Sequence, residues 1–294
     1  MLFKDASYLI NRLTASTVPD AVLPTLRYAT TYRKLPNLKA PRTFSEKVLY
    51  SFIHHREPIR HVFADKIATR DYVTEHAPEL RLPALYGVYT RFEDIDFSKL
   101  PDRYVVKGAH GSGYVHPVRD ARKLDKVKLK ADCDYWLAHD YYYFRREWFY
   151  RDLPRRIMIE EFLCGKDGEV PEDYKIWVAN GKAMLIVVDV GRFRHHQRAH
   201  YSPNWERLPF SYTKEDFVGE LPRPAPLEAM IRAAEKLSAE VQLARVDFYV
   251  IGDTFYLGEI TNSPNGGNAH ITPVEWNLRL GDEFGPCTPA GPSA

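Results

Sequence analysis

The dipeptide Asn180-Gly181, set between the apolar runs YKIWVA and KAMLIVVDV, constrains this chain more than any other feature. Asn and Gly tolerate the positive φ angles of a tight turn whose twist matches antiparallel strands, so residues 174–190 are expected to form a β-hairpin. A second strand pair is expected in ARVDFYVIGDTFYLGEIT, residues 244–261, joined at Gly252-Asp253. Between the two, PLEAMIRAAEKLSAEV carries the apolar spacing of a helix. Upstream, LPALYGVY at 82–89, RYVVKG at 103–108 and IMIEEFL at 157–163 are β-rich, while KLDKVKLKADCDYWLAHDYYYF mixes charge and aromatics at helical spacing.

Helices are expected nearer the start. Residues 3–14 place Phe3, Tyr8, Leu9, Ile10 and Leu13 on one helical face, TFSEKVLY at 43–50 opens with a Ser/Thr cap followed by Glu, and a helix is expected from Asp65 through Val73. Covering the core is the commoner role of such an amphipathic N-terminal helix, and a membrane or partner contact is the sharper one. Pro19, Pro24, Pro36 and Pro41 mark an irregular stretch, and the Pro/Gly/Ser-rich tail at 286–294 is expected to be disordered.

Composition excludes several functions. The 294 residues hold 41 Lys and Arg against 39 Asp and Glu, a formal charge of +2, which excludes a bulk nucleic-acid binder. Any polyanion must be met by a local device. Cys133, Cys164 and Cys287 form no CxxC or Cys/His spacing, so neither a disulfide framework nor a zinc site is expected. The longest apolar run, AMLIVV at 183–188, is strand-sized, and Lys4, Asp5 and Arg12 interrupt the opening residues. A soluble cytoplasmic protein with no transmembrane segment is expected.

Four constellations can carry chemistry. Lys107 ends a β run and is followed by GAHGSG, residues 108–113, in which glycines let backbone N–H groups close on phosphate oxygens beside a cation. The spacing matches neither GxxxxGK[ST] nor GxGxxG, and protein kinases place their glycine loop before the lysine instead of after it. Arg245, Asp247 and Glu259 lie on the second strand pair; two carboxylates facing one place hold Mg²⁺ through oxygen, and Arg245 shares the parity of Asp247. A cross-strand ion pair on a solvated face is the plain alternative. Glu160, Glu161 and Leu163 leave a strand at an apolar turn that can wall an adenine, and Asp65-Lys66 opens a helix that Asp65 can cap.

Taken in order, DK at 65–66, LP at 82–83, VVKGAHGSG at 105–113, IEEFL at 159–163 and RVD followed by GEITNSPNGG resemble an ATP-grasp enzyme. Within that superfamily PRTFSEKV, ADK, EDYK, Asn204-Trp205 and RVDFY are similar to the TupA-like group, named for teichuronopeptide synthesis. The resemblance implies an α+β fold in which two α/β lobes clamp ATP behind a short N-terminal helical cap. The implied units are a cap region at 1–80, a lid subdomain at 81–162 and a catalytic subdomain at 163–285. Lys66 and Lys107 would bind the α- and β-phosphates, Gly111, Ser112 and Gly113 would cover the triphosphate, and residues Glu160, Glu161 and Leu163 would hold adenine. Asp173 would meet the ribose, and Lys175, on the same strand face, would reach phosphate. Asp247 and Glu259 would bind two Mg²⁺ ions with Glu259 bridging, and Arg245 would stabilise the transferred charge. Many ATP-grasp enzymes have Asn two residues after the bridging Glu, where Thr261 stands here and Asn262 follows. The third metal ligand is therefore open between the two.

The reaction the resemblance implies is ligation of a carboxylate to an amine through an acylphosphate, with ATP and Mg²⁺, in the synthesis of a cell-surface polymer. An amino acid would be joined to a uronic-acid sugar or to another amino acid. The loop GRFRHHQRAHY, with Arg192, Arg194, His195, His196, Arg198 and His200, can hold an acidic substrate or be a solvated loop tip. Residues 262–270 can form a substrate wall, with His270 a candidate proton acceptor or a structural histidine. A kinase acting on a small hydroxylated substrate and a nucleotide-binding scaffold are the alternative readings.

Overall fold

The computed structural model describes residues 2–165, 168–191, 195–212 and 214–288. The chain opens with helices α1 (Leu2–Leu13), α2 (Val22–Tyr32), α3 (Phe44–His54), α4 (Ile59–Ala64) and α5 (Lys66–His76). The stretch expected to be irregular thus contains α2. Pro24 lies in its first turn, where a missing N–H breaks no intrahelical bond. At α3 the cap forms as the sequence indicates: Thr43 Oγ1 accepts from Glu46 N at 3.2 Å, and Glu46 Oε2 accepts from Thr43 N at 3.0 Å.

A small antiparallel sheet follows, built from β1 (Leu85–Tyr89), β2 (Tyr104–Gly108), β3 (Val115–Val118) and, after helices α6 (Lys126–Ala138) and α7 (Tyr142–Arg145), β4 (Ile157–Glu161), in the order β1-β4-β2-β3. Its apolar face buries Val106, Ile157 and Ile159 against Leu129, Cys133 and Trp136 of α6. Those helix residues recur at four and three positions, one face of a 3.6-residue period. Cys133 is core, not chemistry, and burial lifts its thiol to about 12.

The larger sheet contains β5 (Asp173–Ala179), β6 (Lys182–Val190) and β7 (Gln197–Tyr201), then, beyond β8 (Ser211–Tyr212), β9 (Glu215–Asp216). After α8 (Leu227–Leu237), β10 (Leu243–Ile251) and β11 (Thr254–Thr261) complete it in the order β11-β10-β5-β6-β7-β9. The Asn180-Gly181 turn has φ of 50° and 76°, as the hairpin requires. Strand β12 (Ile271–Thr272) pairs with β8, and α9 (Glu275–Phe284) closes the fold.

The two faces of the large sheet have different cores. On one, Ile176, Val178, Val246 and Phe248 pack against Met230 and Ala234 of α8 and against Phe63, Tyr72 and Val73 of α4 and α5. On the other, Trp177, Leu185 and Leu243 meet Phe44 and Val48 of α3 and Leu280 and Phe284 of α9. Residues 44–80 therefore share the cores of the large sheet. At Gly281 an added Cβ would come 2.1 Å from Arg42 O, so only glycine lets α9 approach the start of α3 this closely. Of the tail, Pro286 O accepts from Gln242 Nε2 at 3.0 Å and Thr288 O is 3.1 Å from His55 Nε2, so residues 286–288 are held against the body. Residues 289–294 lie outside the described residues.

Along the second face the alternation of the strands changes character. In β5 the residues Asp173, Lys175, Trp177 and Ala179 share one side, charged at its start and apolar at its end, and β10 answers with Asp247, Arg245 and Leu243. The apolar half is sealed by α3 and α9. The charged half faces the small sheet.

Candidate active site

Lys66 begins α5 directly after the cap residue Asp65, whose carboxylate accepts from Ile67 N at 2.9 Å and pairs with Arg156 Nη2 at 2.5 Å. The cap fixes where the first helical side chain points. Lys66 Nζ reaches the glycine loop, donating to Gly111 O at 2.6 Å and Gly108 O at 3.3 Å. Burial pushes its pKa down to about 8, and Lys107 adds to the fall while Glu259 opposes it. Lys107, on β2, pairs with Glu160 on β4, and Arg70, one turn along α5 from Lys66, lies 3.5 Å from the other oxygen of Glu160. Glu160 thus ties two cations and the hinge strand together. In the loop itself Gly113 takes φ of 73°, a conformation that favours glycine.

Arg245, Asp247 and Glu259 converge as the spacing predicts, by means of a β-bulge. From the turn inward the register runs to Phe248↔Leu257, then skips Gly258 so that Asp247 stands opposite Glu259 and Arg245 opposite Thr261. Arg245 Nε and Nη2 each donate to Asp247 at 2.7 Å, and Nη2 lies 3.4 Å from Glu259 Oε1. Lys175 Nζ binds Asp173, lies 2.8 Å from Asp247 and 3.5 Å from Asp189. Burial alone would lower the Lys175 pKa, and Asp173 and Asp247 raise it instead. Its phosphate-binding role expected from the sequence thus competes with three carboxylates. Glu259 is the open group, with 46% of its side chain exposed. Desolvation raises its pKa, but Arg245, Lys66, Lys175 and Lys107 prevail and hold it at about 2, fully ionised.

The two candidates for a third ligand part company. Thr261 Oγ1 sits 3.3 Å from Glu259 Oε1, on the charged face. Asn262 is buried and donates to Arg60 O at 2.8 Å, which anchors the end of β11 to α4. Among the described residues no group of three or more His, Cys, Asp and Glu forms a ready metal cage. Glu259 offers an ionised carboxylate to the cleft, and Asp247, buried and engaged by Arg245 and Lys175, stands opposite it. Carboxylate oxygens so placed suit a hard cation that takes its remaining ligands from phosphate and water, so the donor set fits Mg²⁺.

Two cavities meet at these residues. One, of about 290 Å³, runs between the sheets and is lined by Glu161, Phe162, Leu163, Val105, Asp173 and Gly113. The other, of about 320 Å³, extends the opposite way past Arg245, Thr261, Asp189, His196, Arg198 and Glu147. Lys66, Lys107, Ser112, Glu160 and Glu259 border both. Gly111 borders neither; it holds Lys66 through its carbonyl. His270 also borders neither and packs on Tyr32.

Of the sequence's candidate substrate residues, His196, Arg198 and residues 263–265 of the expected wall do line the second cavity; what sequence reasoning missed is the contribution of the segment around α7. Tyr141 lies near the end of the stretch of helical spacing read at 123–144, and Arg145, Glu147 and Tyr150 follow in the segment beyond it, where no periodic signal marks them. Asp189 and His196 sit 2.9 Å apart, Arg198 Nε donates to Asp189 at 2.5 Å, and His195 turns instead to Glu215 at 2.9 Å. Arg192 and Arg194 of that loop lie outside the described residues. Among the described residues no hydrogen bond or salt bridge engages the Glu147 carboxylate; burial lifts it to about 7 against the pull of Arg145 and Arg27.

Two sheets facing across a cleft, a glycine loop over paired lysines, and carboxylates on a β-hairpin define an α+β protein of ATP-grasp architecture. The chain belongs to the TupA-like ATP-grasp family, whose family model matches residues 46–285. It is similar to D-alanine–D-alanine ligase from Bacillus anthracis complexed with ATP, at 18% identity and a TM-score of 0.44, covering 76% of this chain and 63% of that one. It is also similar to L-amino acid ligase from Bacillus licheniformis, at 17% identity and a TM-score of 0.45, covering 90% of this chain and 56% of that one. The corresponding figures for D-alanine–D-alanine ligase from Helicobacter pylori are 14%, 0.44, 78% and 60%. The chain thus spans less than two thirds of the length of each of these proteins. Among curated proteins no match is found.

Proposed function

We propose that this protein is an ATP- and Mg²⁺-dependent carboxylate-amine ligase that works through an acylphosphate. The observation that carries this reading is the meeting of two cavities at Lys66, Lys107 and Glu259, with Arg245 on the far side of the junction. ATP would occupy the cavity between the sheets, its adenine against Glu161, Phe162 and Leu163, its ribose toward Asp173 and its phosphates on Lys66, Lys107 and the Gly111–Gly113 loop. Asp247 and Glu259 would hold Mg²⁺, which supplies neutralisation of phosphate charge when bound.

In the second cavity Arg245 is fixed by Asp247 and can orient the substrate carboxylate. One carboxylate oxygen attacks the γ-phosphorus and ADP leaves; the amine nitrogen then attacks the acyl carbon and phosphate leaves. The attacking amine must be neutral, and Glu147 is the unpaired carboxylate in that cavity that can take its proton. Arg198 and His196 give the wall a basic character suited to an acidic partner, a uronic-acid sugar or an amino acid, in building a cell-surface polymer. The units at 81–162 and 163–285 would act as lid and catalytic lobe.

The reading is tested by ADP release with amino acids and uronic-acid sugars offered singly and in pairs. Release that requires both a carboxylate and an amine supports it; a stable phosphorylated hydroxyl product overturns it in favour of a kinase. A melting temperature unmoved by Mg-ATP would favour a scaffold without chemistry. For Glu147 the active form is the ionised one, so the amine-dependent rate should rise with pH through about 7. In Glu147→Gln that rise should vanish and the rate fall by roughly 10²-fold. A wild-type pH profile in the variant would remove Glu147 from the reaction.

A further inference from the structure

Residues 1–45 precede the segment matched by the family and differ from it in kind. They hold seven basic and two acidic residues, a charge of +5, whereas the other 249 residues hold 34 basic against 37 acidic. One of the two acids, Asp20, is taken by Arg146 at 2.9 Å. Arg12, Arg33, Lys34, Lys39 and Arg42 are exposed.

The same segment exposes aliphatic side chains. In α1 the residues Leu9, Ile10 and Leu13 are 53, 61 and 72% exposed, on the side opposite Tyr8 and Asn11. Tyr8 packs on His139, Tyr143 and Phe144, and Asn11 Nδ2 donates to Tyr143 O at 2.8 Å, so the inner face of α1 is already committed. Val22 and Leu26, one turn apart on α2, and Leu35 beyond it are exposed as well, and Leu35 directly follows Arg33 and Lys34.

We propose that residues 1–45 dock this protein on an anionic lipid surface. Aliphatic side chains beside exposed cations are the chemistry that binds such an interface, the first by leaving water and the second by meeting headgroup charge. A neutral or acidic body keeps the attraction local to this segment. Among the described residues no helix is long and apolar enough to cross a membrane, so the contact is peripheral. The segment rests on α7, within the stretch Tyr141–Tyr150 that borders the second cavity, so docking would bring that cavity near the bilayer.

The test is flotation of the full chain with phosphatidylglycerol/phosphatidylcholine vesicles and with pure phosphatidylcholine vesicles. Binding should be confined to the anionic vesicles and weaken with salt. It should fall at least about tenfold in the triple variant Leu9→Ser, Ile10→Ser, Leu13→Ser, and likewise in Arg33→Glu, Lys34→Glu. All five positions are exposed, and unchanged circular dichroism checks that the fold survives. Failure to bind, equal binding to neutral vesicles, or binding indifferent to both variants overturns the proposal. So does self-association of the free chain that the triple variant abolishes, which would assign the face to a second copy. None of these readouts depends on ligase activity.

Discussion

Asp247→Asn and Glu259→Gln are each expected to lower ADP-forming turnover by about 10²- to 10³-fold, with circular dichroism unchanged. The estimate follows from removing charge aimed at a transferred phosphoryl group in a water-poor cleft, where a single preorganised interaction is worth about 3–4 kcal/mol. The two positions should differ in their side effects. Glu259 is open to the cleft and, among the described residues, bonded only to Arg245 and Thr261, so its loss should leave the melting temperature near wild type. Asp247 receives Arg245 and Lys175 together, so its amide variant should lose some stability as well as turnover. Steady-state ADP release and thermal melts on the same preparations check both. Wild-type turnover in either variant would refute the assignment of the pair to the metal.

Lys175→Met should produce the largest loss of stability. Lys175 is 7% exposed and is the cation that Asp173, Asp189 and Asp247 share. Methionine fills similar volume but leaves three carboxylates facing one another, and breaking a buried ion pair in this way costs about 3–5 kcal/mol. A shift of that size lowers the melting temperature by roughly five to eight degrees in a chain of this length. Acid should reverse part of the loss. With Lys175 gone, at least one carboxylate is harder to ionise folded than unfolded, so the native state binds more protons and its relative stability rises as pH falls. Urea melts at neutral and mildly acidic pH measure this; a variant as stable as wild type at neutral pH would show that Arg245 alone suffices.

Period-two reasoning found the charged face. It paired Arg245 with Asp247 on one strand and Lys175 with Asp173 on another, and the structure joins the two pairs by setting Asp247 opposite Lys175. What parity along a strand does not contain is the residue that faces it across the ladder. Asp189 enters from β6 opposite Asp173, and that pairing turns Lys175 from an expected phosphate contact into a clamp. The Asn180-Gly181 and Gly252-Asp253 turns were legible because glycine and asparagine stand where φ is positive. Helix α2 was not, because Pro24 reads as a breaker unless its place in the first turn is known. Glu147 left no sequence trace, since a carboxylate in an aperiodic, aromatic-rich segment is ordinary until the fold carries it to a cavity.

Gly258 has the widest reach for its size. Outside it, β11 keeps step with the Gly252-Asp253 turn; inside it, the strand is one residue out of step. The two halves of the hairpin are thus decoupled in phase. Its outer half obeys the geometry of the turn and packs Phe255 and Leu257 on the core, and its inner half sets Glu259 and Thr261 opposite Asp247 and Arg245 while Ile260, opposite Val246, still enters that core. The bulge therefore acts as a gear change, letting one strand meet two incompatible demands without lengthening either loop.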